Sequence, residues 1–353
     1  MNVFRYHENP LIKVEDVKPT REDFIVIGAF NAGVTKFNGQ TVMLIRVAEM
    51  PKQDDAEYVK VPLMDEEGSH LKLVIKKVRK DLPGYDFSDP RVIKYKGQTV
   101  YLTSISHLRL AKSSDGIHFQ VEEKPTVFPE TKMESWGIED CRITQIEDTY
   151  YITYSAVSSK GVGVGLLATE NFRFYTRKGI ILAPENKDVV IFPEKINGNY
   201  FMMHRPVPGC IGTKEIWTAT SQDLIRWGDH CILMECREGS FDSQKIGAGS
   251  VPIKTPEGWL TFYHGVDENE RYCMGAALLD LNNPSRVIAR SSRPILEPVE
   301  SYEVKGFFGN VVFSCGTIVE DRKVKMYYGA ADERIACAEF SVSDVLESMA
   351  VTP

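Results

Sequence analysis

Apolar and polar residues alternate with a period of two along most of the chain, and the alternating runs come in pairs joined by tight turns. The pairs read GVTKFNGQTVMLIRV (33–47), RVIKYKGQTVYLTSI (91–105), RITQIEDTYYITYSA (142–156), PEKINGNYFMMHRPV (193–207), VPIKTPEGWLTFYHG (251–265) and GTIVEDRKVKMYYGA (316–330). In each, β-branched and aromatic residues flank an N-G, K-G, E-D, P-E-G or E-D-R turn, which is the signature of a β-hairpin.

Each hairpin is followed by a second, weaker repeat. A strand of small residues, such as GVGVGLLAT (161–169) or YCMGAALLD (272–280), leads through a polar turn into a closing strand. Those turns read SSDGIHF (113–119), TENFRF (169–174) and SQDLIRW (221–227). Four antiparallel strands per unit, repeated with almost no helical periodicity, predict an all-β chain folded as a β-propeller. A long β-sandwich is the alternative, but sandwiches lack so strict a repeat. Six hairpins, an interrupted first unit (48–60) and a last unit short of its fourth strand leave five or six blades, one of them closed by both termini. The tail 341–351 is the one predicted helix, with Ser341 or Ser343 as its N-cap. No linker or low-complexity tract appears, so residues 1–353 read as a single domain.

Composition narrows the function. The 353 residues are 43% hydrophobic and 26% charged, as in an ordinary globular protein. A formal net charge of −7 argues against a bulk nucleic-acid partner while leaving room for a local anion pocket. Seven scattered cysteines, with no C-x-x-C and no zinc spacing, read as reduced thiols and point to no metal. The N-terminal stretch lacks the apolar core of a signal peptide, and no apolar run approaches the ~20 residues of a membrane helix. A cytoplasmic protein with no membrane partner is expected, and a homo-oligomer is compatible with all of this.

Candidate chemistry gathers where inner propeller strands begin and end, because those positions converge on a central channel. Asp89 and Arg91 open the second hairpin; Glu139, Asp140 and Arg142 open the third. Asn186, Lys187, Asp188 and Glu194 precede the fourth, which ends in His204 and Arg205. Lys245 precedes the fifth, which ends in Tyr263 and His264. Asp332 closes the last, and Arg46 and Glu49 close the first. Singly, each reads as a turn former, a solvated charge or an ion pair between blades. Recurrence at one blade position favours a shared site, since burying charge repeatedly is costly unless it is used or paired. Trp136, Tyr263, Phe308 and Tyr328 are candidate sugar platforms, although core packing is the default for each. Inverting cleavage of a glycoside needs an acid on one face and a nucleophile on the other. Water as nucleophile demands a carboxylate base, with Glu194 and Glu139 as candidates. Phosphate demands none, only cations to hold it, and Arg205, Lys245, Lys187 and Arg91 suit that task.

The stretch Trp136-Gly137-Ile138-Glu139-Asp140-Cys141-Arg142-Ile143-Thr144 resembles glycoside hydrolase family 130, the β-mannoside phosphorylases. The family's usual run is G-I-E-D-P-R, and Cys141 stands where proline is common. The resemblance extends to Asp89-Pro90-Arg91, N-K-D-x-x-x-F-P-E-K at 186–195, His204-Arg205-Pro206, Tyr263-His264-Gly265 and Tyr328-Gly329-Ala330-Ala331-Asp332. It implies a five-bladed propeller with four-stranded antiparallel blades and a central-channel active site, the sixth hairpin being part of a blade shared between the ends. It implies Asp140 as the acid, acting through the 3-hydroxyl of the −1 mannose while phosphate attacks the anomeric carbon to give α-mannose 1-phosphate. By the same resemblance Arg205, Lys245 and Lys187 hold phosphate. Asn31, Arg46, Asp89, Arg91, Asp188, His204, Tyr263 and Asp332 line the sugar subsites, with phosphate as co-substrate and no cofactor. The ENPLI…DVKP opening and the length are most similar to members acting on β-1,2-mannobiose or β-1,2-oligomannan. The alternatives are phosphorylases of 4-O-β-mannosyl-glucose or β-1,4-mannooligosaccharides, an inverting β-mannosidase, which would lack the cation cradle, and a non-catalytic glycan-binding propeller.

Overall fold

The computed structural model describes residues 1–67 and 70–351, and its regular structure is almost entirely β-strand. Side chains leave a strand on alternate faces, so the period-two sequence pattern becomes ladders with one face turned to a neighbouring sheet. Five groups of antiparallel strands follow one another along the chain. The first comprises Phe24–Phe37, Gln40–Pro51, Ile105–Ser113 and Gln120–Val121. The second is Gly137–Ile146, Thr149–Ser158, Gly161–Thr169 and Thr176–Leu182, and it touches the first through a parallel bridge between Gly137 and Ser106. The third is Asn186–Ile191, Tyr200–Pro206, Ile216–Ser221 and Gly228–Met234. In the fourth, Lys245–Ala248 and Ile253–Thr255 both pair with Gly258–Val266, followed by Tyr272–Leu279 and Val287–Ser291. The fifth is Val312–Glu320, Lys323–Ala330 and Arg334–Ser341, completed by Phe4–Arg5.

Successive groups pack face to face. Leu44 and Leu108 of the first meet Ile143 and Ile152 of the second, and Leu166 and Ile181 meet Val189 and Met202 of the third. Met203 and Ile216 meet Trp259 and Ala277, Phe262 and Met274 meet Met326 and Phe340, and Tyr327 and Cys337 return to Val34 and Met43 of the first. Each fully buried large apolar side chain contributes about 1.5–3 kcal/mol, so these interfaces hold the groups together. Thr35, Ile143, Pro193, Ile253 and Thr317, residues of or next to each of the five groups, line a common cavity of about 670 Å³.

The polar turns seen in the sequence are one device used three times. Ser113, Thr169 and Ser221 each accept a backbone N–H three residues on, from Gly116, Phe172 and Leu224. Asp115, Asn171 and Asp223 each accept the N–H groups two and three residues on. The side chains thereby satisfy backbone donors that no strand partner reaches.

Two sequence expectations change. The 91–105 hairpin is not one of the repeated inner pairs. Val92–Tyr95 and Gln98–Leu102 form a small separate sheet with Tyr85–Asp86, beside a second hairpin of Tyr58–Glu67 and His70–Arg79. All of this is an excursion between Gln40–Pro51 and Ile105–Ser113, strands that pair directly. The extra hairpin in the count of six is therefore this insertion, while the hairpin at 316–330 lies in the group that the N-terminal strand completes. The C-terminal helix is Val342–Ser348, shorter than 341–351, with the Ser341 hydroxyl accepting the Asp344 N–H. The chain then returns to strand at Met349–Val351, which pairs with Val287–Ser291. Among the described residues no helix is long and apolar enough to cross a membrane, and no cluster of three or more His, Cys, Asp or Glu could hold a metal.

Candidate active site

Four of the five first strands carry an interruption in their ladders at the same height. The breaks fall between Phe30 and Gly33, Glu139 and Arg142, Lys187 and Val190, and Phe313 and Gly316. At three of them a short polar residue takes the left-handed conformation: Asn31 at φ 47°, Asp140 at φ 48° and Asp188 at φ 54°. Asn and Asp tolerate this region better than other non-glycine residues. A bulge of this kind re-aims a side chain, and here it sets Asn31 against Asp140 and turns Asp188 to Arg142 and Arg205.

Asp140 is 5% exposed. Its Oδ1 accepts from Asn31 Nδ2 at 3.0 Å and from Arg46 at 3.1 Å. Arg46 also donates to Glu139 at 2.8 Å and to the Ser106 hydroxyl at 3.1 Å, with the Phe30 ring 4.6 Å beneath it. Burial alone would push the Asp140 carboxyl up. The charges of Arg46, Lys187 and Arg142, with the Asn31 hydrogen bond, outweigh it and hold the group below the usual carboxylate range.

Beside Asp140 lies a cluster of cations. Arg205 faces Lys187 across the ladder and grips Asp188 through Nε at 2.8 Å and a terminal nitrogen at 2.7 Å. Lys245 sits over the Tyr272 ring at 4.6 Å and donates to its hydroxyl. Burial, with the charges of Arg205, Lys214 and Lys187, lowers Lys245 to about 8. Three cations around one buried lysine concentrate positive potential at this point. Lys187 acts on Asp140, on Asp188 and on Lys245, and so links the acid to the cation cluster.

Asp332, left-handed at φ 52°, closes another side of the site. Burial first, and then the charges of Asp140 and Glu139 working against Arg46 and Arg91, raise it to about 6. Arg91 reaches in from the insertion. It lies 5.0 Å over Phe308 and is held by Asp89 at 2.9–3.0 Å, which lowers Asp89 to about 2.

Three sugar-subsite expectations take other places. The side chain of Tyr263 points to the opposite strand face from its neighbour His264. Its hydroxyl lies in a buried cluster, 2.9 Å from Asp242 and 3.0 Å from Arg290. His204 likewise faces away from Arg205 and contacts Asn186 at 3.2 Å and His230 at 3.0 Å. Asp188 is 2% exposed, and both of its oxygens are taken by guanidinium groups, so it anchors cations beneath the site. Glu194, a candidate base, is ion-paired with Lys254 at the surface. Tyr328 is buried on Glu303 at 2.6 Å, and Trp136 is packed at the head of its strand.

The structure also brings in residues to which sequence reasoning assigned no subsite role: His264 and Arg142, named there only among the strand-end charges, and Tyr272 and Lys214, not named as candidates. His264 lies 3.6 Å from Asp188 and is lowered to about 3 by burial. Arg142, Tyr272 and Lys214 join it. Facing could have found His264, because it alternates with Tyr263. Tyr272 opens a strand of small residues and gives no such signal.

Comparison with known proteins bears on this geometry. A family model described as beta-1,4-mannooligosaccharide phosphorylase (Glyco_hydro_130) matches residues 89–351. The chain is 50% identical to a beta-1,2-mannobiose phosphorylase of Listeria innocua over 99% of both chains. It is 42% identical to a 1,2-beta-oligomannan phosphorylase of Thermoanaerobacter over 68% of this chain and 80% of that one. The solved complex of the Listeria enzyme with beta-1,2-mannobiose superposes with a TM-score of 0.95, at 50% identity and covering 99% of each chain.

Proposed function

The chain belongs to glycoside hydrolase family 130, and we propose that it cleaves β-1,2-mannosides with inorganic phosphate, inverting the anomeric centre to release α-mannose 1-phosphate. The observation that carries this reading is the joining of a buried acid, Asp140, to a cation cluster of Lys187, Arg205 and Lys245. Phosphate needs cations and no general base. Glu194 is paired at the surface and Glu139 is itself bound to Arg46, which takes both candidate bases out of the role. The five strand groups packed in succession, with the fifth returning to the first, support a five-bladed propeller with a central-channel site, read as one catalytic unit.

In this mechanism phosphate docks on Arg205, Lys245 and Lys187, and one oxygen attacks the anomeric carbon from that side. Asp140 delivers its proton to the leaving oxygen through the 3-hydroxyl of the mannose. The surrounding cations favour the ionised acid. The incoming dianion offsets the charge of Lys187, which lets Asp140 take up the proton it must give. Asn31 and Arg46 orient the acid, while Asp332 and Arg91 face the sugar hydroxyls. The seven free cysteines support a reducing, cytoplasmic setting.

The test is incubation with β-1,2-mannobiose with and without phosphate, followed by NMR. Phosphate-dependent appearance of α-mannose 1-phosphate and mannose is expected, whereas mannose release without phosphate would overturn the reading. Parallel reactions with β-1,4-mannobiose and 4-O-β-mannosyl-glucose rank the linkages.

A further inference from the structure

We propose that Arg142 is a positioning residue that fixes the distance between the proton donor and the phosphate site, touching neither substrate itself. The inference rests on the roles given above to Asp140 and Arg205.

The Arg142 side chain is 1% exposed, below the site and closed to solvent. One nitrogen donates to the main-chain carbonyl of Asp140 at 2.8 Å. The other terminal nitrogen donates to Asp188 Oδ1 at 3.3 Å and to the Ala248 carbonyl at 2.8 Å, and Nε donates to the Gly249 carbonyl at 3.2 Å. The Phe313 ring lies 5.6 Å from the guanidinium carbon. One planar group therefore spans the first strands of the second, third, fourth and fifth groups. Asp188 passes the connection on, because its Oδ2 is held by Arg205 at 2.7–2.8 Å. An unbroken path runs from the Asp140 carbonyl through Arg142 and Asp188 to Arg205.

Two residues on that path, Asp140 and Asp188, take the left-handed conformation where their ladders break, a backbone that persists only when its surroundings hold it. In-line displacement requires the acid and the phosphate on opposite sides of one sugar ring, so their separation is the quantity to be held. The path is also closely packed. A Cβ on Gly247 would sit 2.4 Å from Asp188 Oδ2 and 2.3 Å from the His264 ring. Only a fork of planar donors reaches four acceptors at once, so lysine is no substitute.

The experiment is steady-state phosphorolysis by the full chain carrying Arg142→Lys, with phosphate and mannobiose varied in turn. The expected result is a KM for phosphate raised about tenfold and kcat lowered ~10- to 100-fold, with the KM for mannobiose within about twofold of wild type. Equal changes in both KM values, or wild-type kinetics with only a lower melting temperature, overturn the proposal. Asp188→Asn gives a second reading should the first variant fail to fold. Because Asp140 is then held less firmly, its kcat stays about tenfold low even at saturating phosphate. Recovery of wild-type kcat there would show that Asp188 serves phosphate alone and would sink the linkage. A wild-type enzyme that works without phosphate instead contradicts the function itself, whatever Arg142 does.

Discussion

Asp140 stands at a backbone position that few residues adopt without strain, so the bulge that aims the acid also restricts what can replace it. Asparagine fits the same conformation and keeps the contacts to Asn31 and Arg46 nearly in place. Asp140→Asn is therefore expected to cut kcat by ~10²–10⁴-fold with little change in mannobiose KM, read by initial rates of mannose 1-phosphate release. Lys245 gives a pH signature. Its charge is lost as pH rises through about 8, so the KM for phosphate should climb between pH 7 and 9, and Lys245→Met should flatten that climb at a uniformly weaker affinity. Asp332 gives another, through stability. Its folded value of about 6 lies above the ordinary carboxylate, so its contribution is full below the unfolded value and is lost as pH rises through about 6. Asp332→Asn should then raise the melting temperature at pH 7.5 by more than at pH 4. The gathering of Asp140, Arg205, Lys187 and Lys245 was readable in the sequence because charged residues recur at equivalent strand positions, while the choice of Asp140 among the acids came from the family resemblance. The roles of Tyr263 and Asp188 were not. Which face a strand end presents depends on the ladder register, and whether a carboxylate meets sugar or guanidinium depends on strands distant in sequence.

Elements show the same division. The inner hairpins at 33–47, 142–156, 251–265 and 316–330 were legible because turn residues and alternation agree. At 193–207 the first strand lies earlier, at Asn186–Ile191, and Pro193–Asn199 is mostly turn with one bridge between Ile196 and Asn199. The 91–105 hairpin has the same local pattern as the others, and only long-range pairing of Gln40–Pro51 with Ile105–Ser113 reveals it as an insertion. The Tyr263 cluster marks a purely structural use of polar residues. Asp242 is fully buried and bound by Arg237, Arg290 and the Tyr263 hydroxyl. Tyr263→Phe removes one of those donors and should cost about 1–3 kcal/mol in urea unfolding, with both KM values unchanged. A change in either KM would return Tyr263 to the site.

On the scale of the whole molecule, the two ends of the chain are fastened to groups far along it. Phe4–Arg5 completes the fifth group, and Arg5 binds the fully buried Glu303 at 2.8 Å and the Glu297 carbonyl at 2.8 Å. Glu303 also accepts from Tyr328 and from the backbone N–H groups of Val299 and Glu300. Arg5→Met leaves that carboxylate with neutral donors only and should cost about 2–3 kcal/mol by thermal or urea unfolding, without altering kinetics. The insertion has the opposite relation to the fold. Residues 52–104 leave and rejoin the first group between two strands that pair with each other, while Asp140, Arg205 and Lys245 all lie outside them. Because both seams lie on strands that pair with each other, a change of length or sequence within the excursion breaks no ladder of the first group. It alters the surroundings of Asp89 and Arg91 while Asp140, Arg205 and Lys245 keep their strands.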